Sequence, residues 1–191
     1  MEKARNSSAW TDAGYDLFAE EGLEGLQVER LARILQLNKS GFYHYFGDLE
    51  VYLEELLKLH QHHVHLYLDR VREIKTIDPE YLLVLIEFKV PTLFQMQLDR
   101  IKDNPSIRKV SDWVDRNEDI VMKQVWCQYL GVEGNTDLAM RYFNMFRSMF
   151  YERITYKNYA LPFVTGLFAE AKDVMNQLSN QKAVDTNDFL H

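Results

Sequence analysis

The sequence predicts an all-α fold of about nine helices. An N-terminal three-helix domain carrying a helix-turn-helix is followed by a C-terminal helical domain. Three observations carry this expectation. Apolar residues recur at three- and four-residue intervals along most of the chain. Runs of β-branched residues alternating with polar ones, the mark of a half-buried strand, are missing from the sequence. Glycines, prolines and capping residues fall where helices of ordinary length would begin and end.

The elements follow in order. SSAWTDAGYDLFAEE sets Trp10, Ala13, Gly14, Leu17 and Phe18 on one face of a first helix. Gly22 closes it, because a residue without a Cβ enters the left-handed conformation freely. Val28, Leu31, Ala32 and Leu35 stripe a short second helix, and Leu37 fills the turn after it. Asn38 caps a third helix, whose Phe42 and Phe46 face inward with Tyr45 near them. Lys39, Ser40, Gly41, Tyr43 and His44 are left for the outside. A helix this short does not stand alone. Held by its neighbours, it offers an outer face suited to the major groove of DNA.

From Asp48 a long fourth helix is expected, with Leu53, Leu56, Leu57, His60, Val64, Tyr67, Val71 and Ile74 as its inner stripe. Asp78-Pro79 and Asn104-Pro105 read as cap-plus-proline starts. Pro91 should kink the helix begun at Pro79, and Ser111-Asp112 is a candidate break in the next segment. Gly131 and Gly134 end that segment, Thr136 caps the following helix, and Pro162 opens the last one. The tail from about Gln181 reads as polar and frayed.

Three segments keep a known spacing: AGYDLFAEEG from Ala13, VERLA from Val28 and NKSGFYHYF from Asn38. From Ala13 to Phe46 the chain closely resembles the TetR/AcrR family of bacterial transcriptional regulators. That family shows AA-x-x-LF-x-x-x-G, then V-x-x-IA, then an aromatic-rich Y-x-H-F. Beyond residue 55 the resemblance is architectural only. It implies a cytoplasmic homodimer, a repressor in the ordinary case, that binds a palindromic double-stranded DNA operator. A small molecule entering the C-terminal domain would then change its grip. The implied division is a DNA-binding domain at 1–50 and an effector-binding and dimerisation domain at 51–191.

Roles can be assigned on that basis. Lys39, Ser40 and His44 are candidates for base edges, and Lys39 can donate to guanine acceptors. Gly41 permits close approach of the helix. Tyr43 matches the family tyrosine whose hydroxyl is expected on a phosphate, which positions the protein without reading sequence. Gln27 and Arg30 on the second helix complete the set. The chain also departs from the family pattern. Gln27 stands where a small hydroxyl residue usually caps the second helix, Gln36 replaces the turn glycine, and Leu49 replaces a phosphate-gripping lysine. Glu29 adds an acid on the helix that should approach the backbone.

The C-terminal part suggests a pocket and an interface. Phe88, Pro91, Phe94, Met96, Trp113, Met122, Trp126, Tyr129 and Phe146 are candidate walls for an apolar or aromatic effector, with Glu87, Lys89 and Arg147 as possible polar anchors. The last two helices carry wide apolar faces that include Phe143, Phe150, Phe163, Leu167, Phe168 and Val174. By resemblance these helices pair with their mates in a four-helix dimer interface.

Other classes are weaker. His60, His62, His63 and His65 share helix faces in pairs, but no acidic or cysteine partner nearby in sequence completes a metal site, and no cofactor is expected. There is no phosphate-binding glycine loop, G-x-S-x-G or dinucleotide fingerprint among the eight glycines, so an enzyme is not expected. With 191 residues, 47% apolar content and a formal charge of −7, the composition is that of a soluble globular chain. No apolar run approaches membrane length, the N-terminus MEKARNSSAW reads as no secretory leader, and Cys127 is expected as a buried thiol.

Residues 1–50 hold five Lys or Arg against nine Asp or Glu, a formal charge of −4. Since phosphate neutralisation supplies much of the affinity for DNA, placement must decide. Lys3, Arg5, Arg30, Arg33 and Lys39 are expected on the DNA side, with Asp12, Asp16, Glu20 and Glu24 elsewhere. The rival reading is a helix-turn-helix that has lost DNA binding and serves as a protein-interaction module. If DNA is bound, few phosphates are contacted, and log K should fall only shallowly with log salt concentration. A steep slope in a salt titration would contradict that count while leaving DNA binding intact.

Overall fold

A computed structural model describes residues 2–101 and 103–188, with side chains at 7–101 and 103–178. Lys3 and Arg5, expected in the DNA-facing cluster, lie outside the residues whose side chains are described. Nine α-helices and no strand occur among the described residues. They are α1 (Glu2–Glu21), α2 (Val28–Leu35), α3 (Lys39–Phe46), α4 (Leu49–Glu73), α5 (Leu82–Glu87), α6 (Lys89–Asp99), α7 (Pro105–Leu130), α8 (Thr136–Arg153) and α9 (Leu161–Asp188). A 3-10 turn (Gly22–Gly25) follows α1, and a π-helical turn (Ile77–Tyr81) precedes α5.

The local signals act largely as expected. Gly22 ends α1 with φ 69°. Asp48 Oδ1 accepts the Val51 amide at 2.9 Å and opens α4. Asn104 Oδ1 accepts the Ser106 and Ile107 amides at 3.0 and 3.1 Å and opens α7. Gly131, at φ 68°, closes it.

Four boundaries differ. The expected kink at Pro91 is a break at Phe88 (φ −96°, ψ 35°). A proline ring clashes with the helical carbonyl four residues back, here that of Glu87, so α6 starts afresh and takes Pro91 in its first turn. Ser111-Asp112 does not divide α7: Ser111 is buried and accepts a hydrogen bond from Gln95 Nε2 at 2.9 Å. Asn135, not Thr136, caps α8, accepting from the Leu138 amide at 3.2 Å. Finally, α9 continues past Gln181 to Asp188.

By packing, the chain forms two compact units, Met1–Arg70 with Phe88–Glu118 and Val71–Glu87 with Asp119–His191. In the first, the three N-terminal helices share a core with α4 and α6 that includes Trp10, Phe18, Leu31, Phe42, Tyr52 and Phe94, all fully buried. Gly14 is required there. A Cβ on it would stand 1.8 Å from the Tyr52 hydroxyl, which crosses α1 to donate to the Trp10 carbonyl. In the second unit Trp126 stacks on Phe146 at 5.3 Å, Phe146 meets Phe168 edge-on at 4.7 Å, and the Trp126 indole donates to the Ala139 carbonyl at 3.0 Å.

A chain of buried polar groups threads the first unit. The Tyr15 hydroxyl lies 2.9 Å from His60 Nδ1, and His60 Nε2 lies 2.9 Å from Gln95 Oε1. Gln95 Nε2 then donates to Ser111 Oγ. Gln95 can only accept at Oε1, so Nε2 carries the imidazole proton and Nδ1 accepts from Tyr15. Burial holds His60 neutral, its pKa pushed down to about 4 despite the Gln95 hydrogen bond, and His63 on the same helix adds to the fall. Between pH 6.5 and about 4 the unfolded chain therefore takes up a proton that the folded chain refuses. Stability is whole above pH 6.5 and is lost as pH falls, by at most about 1.4 kcal/mol per pH unit for this one group. Half-buried His63, also lowered, acts in the same direction, while Asp16, whose carboxyl is raised by burial and by Asp12, acts against it. Urea unfolding at pH 7.5 and 5.0 should show the full chain losing distinctly more stability than His60→Asn over that interval. Equal losses would assign the acid sensitivity to other groups.

Candidate nucleic-acid interface

The turn between α2 and α3 is tight and slightly strained. Gln36 adopts φ 55° and ψ 36°, a left-handed conformation that an L-residue with a Cβ disfavours. It nevertheless closes α2, with the Leu37 amide donating to the Ala32 carbonyl at 2.9 Å. Asn38 then caps α3, its side chain accepting from the Ser40 amide at 3.0 Å. Gln27 starts α2 without a side-chain capping bond, as the missing hydroxyl residue implied.

Two aromatic side chains fix α3 from below. Phe42 is fully buried, with Trp10 at 5.6 Å, Tyr52 at 4.9 Å and Phe46 at 5.2 Å between ring centroids. Phe46 in turn meets Tyr52 at 4.8 Å. Lys39, Ser40, Tyr43 and His44 are consequently exposed together. Tyr43 is 50% exposed, with its ring set edge-on to Phe42, so the side chain is braced at its base and open beyond. Gly41 needs no special backbone conformation, and a Cβ there would meet nothing closer than Tyr45 at 3.9 Å. The protein's own packing does not demand a glycine at this place; a close-lying ligand would.

The basic residues are not all available. Arg30 grips Glu21 through both guanidinium nitrogens, and that hydrogen bonding holds the Glu21 carboxyl below the usual range. Lys39 Nζ stands 3.5 Å from Glu29 in a pair exposed on both sides, which is weak and easily exchanged for a phosphate. Leu49, 45% exposed, starts α4.

Residues 11–56 match the family model of bacterial regulatory proteins of the tetR family. This segment is a TetR-family DNA-binding domain, and the chain is a DNA-binding transcriptional regulator. No curated protein and no solved structure matches the chain. The matched residues contain the whole of α2 and α3, most of α1 and the start of α4. No described helix is long and apolar enough to cross a membrane.

The candidate residues outside this TetR-family domain are dispersed. Of the seven main effector-wall candidates, Phe88, Phe94 and Trp113 belong to the first unit, and Met122, Trp126, Tyr129 and Phe146 to the second. Phe94 stacks on Tyr15 at 4.3 Å in the core beneath the DNA-binding helices. Met122, Trp126 and Phe146 are buried against their neighbours, whereas Tyr129 lines a cleft of the second unit. Of the interface candidates, Phe143, Phe150, Leu167 and Phe168 are buried within the chain's own second unit, so they cannot form its outer surface. Phe163 is half-buried and Val174 exposed. Among the described residues, the exposed large apolar side chains of α8 and α9 are Leu138, Met145, Leu161, Val174 and Leu178. His60 is occupied by Tyr15 and Gln95 at both ring nitrogens, which leaves it no lone pair for a metal. Cys127 is buried, as expected.

Sequence reasoning passed over Gln95 and the buried bond of Ser111, whose only signal was polarity on otherwise apolar stretches, and the charged residues around Tyr129, which come from two separate segments. Opposite-sign substitutions test the local geometry. Asn38→Ala should lower stability by about 1 kcal/mol through the lost cap. Gln36→Gly should raise it by roughly 1 kcal/mol by relieving the left-handed backbone. Urea midpoints moving the same way would mean that the α2–α3 turn is not built as described.

Proposed function

We propose that this regulator works as a homodimer, with α3 of each copy in successive major grooves of a palindromic operator and a small molecule governing that grip. In this reading residues 1–50 contact DNA and residues 51–191 serve response and dimerisation. The observation that carries it is the division of labour within one eight-residue helix. Phe42 and Phe46 point inward, while Lys39, Ser40, Tyr43 and His44 stand outward together. Lys39 and His44 supply hydrogen-bond donors for base edges, Ser40 either donates or accepts, and Tyr43 offers its hydroxyl to a phosphate. Gly41 lets the helix lie close.

Dimerisation is supported by the outward apolar residues of α8 and α9, Leu138, Met145, Val174 and Leu178, on the helices that the resemblance assigns to the interface. A dimer must hold its two recognition helices about one turn of DNA apart. Ligand response is supported by α4, which begins just after α3 and contributes residues to both units, so a shift of α4 would alter that spacing. Repression follows if the operator overlaps a promoter.

A second reading keeps the fold without DNA binding. The Arg30–Glu21 pair, the acidic balance and exposed Leu49 favour a protein-interaction module. Fluorescence anisotropy with duplex DNA from upstream of the protein's own gene separates the two. Lys39→Ala and Tyr43→Phe should each weaken binding at least tenfold with thermal stability unchanged. Neutral results for both substitutions would favour the interaction module.

A further inference from the structure

We propose that the cleft of the second unit between the turn at Lys75–Asp78, α7 and α9 binds a small zwitterion, a molecule carrying an ammonium and a carboxylate in the manner of an amino acid. The inference rests on the reading that a small molecule governs DNA binding, and it names that molecule's chemical class.

The aromatic interior of this unit is occupied by its own side chains. Trp126, Phe143, Phe146 and Phe168 sit ring against ring with centroids 4.7 to 5.3 Å apart for the closest pairs. Beside it lies a cleft of about 580 Å³, large enough for a small metabolite. Its walls are charged in a balanced way. Lys75 and Asp78 come from the turn after α4, Lys172 and Asp173 from α9, and Tyr129 and Gln128 from α7.

Tyr129 shows how one end of a ligand would be held. Its hydroxyl donates to the Phe168 carbonyl at 2.9 Å, so the ring is fixed. The Lys172 ammonium rests over the ring face, 4.8 Å from the centroid. The face thus already receives a cation, and a ligand ammonium would enjoy the same attraction. Asp78 and Asp173 lie close enough to act on the phenol, which burial and these two carboxylates push up to about 12. An ammonium on the ring therefore lies within reach of two negative charges.

The other end follows from what is displaced. None of Lys75, Asp78, Lys172 and Asp173 is in a close ion pair among the described residues. The Glu80 carboxylate, which accepts from the Lys75 and Thr76 amides, acts on the Lys75 charge from outside the cleft lining. Lys172 has a flexible stem, and once moved from the ring it joins Lys75 as a partner for a carboxylate. A ligand of one charge sign would face repulsion from half of this wall, and an apolar one would desolvate four charges without replacing their water. A zwitterion meets both signs. Ile77, Val125 and Ala169 leave an apolar strip for a short side chain.

The test is calorimetric titration of the full chain with each of the twenty standard amino acids. Any that binds is compared with the amine lacking its carboxylate and the acid lacking its ammonium. We expect saturable binding of at least one amino acid and at least tenfold weaker binding of both truncated forms. Asp173→Asn and Lys75→Gln should each weaken binding tenfold or more without moving the thermal midpoint of the unliganded protein. Absence of binding by all twenty, or an amine or acid that binds as well as the zwitterion, overturns the assignment. Anisotropy on upstream DNA, run alongside, keeps the two readings apart. Binding at the cleft without any change in DNA affinity upholds the site and removes ligand response. DNA release by an amino acid that both variants still bind normally upholds ligand response and removes the site.

Discussion

The structure depends on the burial of Phe42. An eight-residue helix has too few internal hydrogen bonds to offset its nucleation cost, so α3 exists because something holds it. Phe42 does so by entering a cage of Trp10, Phe46 and Tyr52, from α1, α3 itself and α4. Aromatic pairs in edge-on geometry restrict rotation as well as burying area. With two of its side chains fixed below, the helix cannot roll, and its other face is held outward. Tyr52 is fixed in its turn by the Trp10 carbonyl, which it reaches only because Gly14 has no side chain.

A second constraint lies deeper in the same unit. Tyr15, His60, Gln95 and Ser111 link α1, α4, α6 and α7 through consecutive buried hydrogen bonds. Such a network is unfavourable if any member is left unpaired, so it selects one mutual setting of the four helices. Gln97 adds a contact from α6 to the end of α1, its amide lying 3.5 Å from the Glu20 carbonyl. Thus the segment Phe88–Glu118, far along the chain, is part of what positions the DNA-binding helices.

Much of this was legible in the residues. Gly22, Asn38, Asp48 and Asn104 state their roles locally, because capping and left-handed closure depend on near neighbours alone. Phe42 and Phe46 were readable from their spacing. The wide apolar faces of α8 and α9 were visible too, but not which residues on them are covered. Phe143 and Phe168 are hidden by other parts of the same chain, whereas Met145 and Val174 are not, and periodicity cannot tell one kind of cover from another. Ser111 suggested a break because serine is a poor interior helix residue, yet its hydroxyl is claimed by Gln95 and the helix runs through. Arg30 looked like a DNA contact until the fold brought Glu21 beside it. Pairings at long separation are the part a linear reading lacks.

The central claim is that the outward face of α3 meets duplex DNA. Hydrogen exchange of the backbone amides, followed by mass spectrometry with and without a duplex from upstream of the gene, addresses it without altering any side chain. Slowed exchange concentrated in residues 38–46 and at the start of α2, with α9 unchanged, is the outcome that follows from this structure. A complex that forms while residues 38–46 exchange as fast as in the free protein would contradict it.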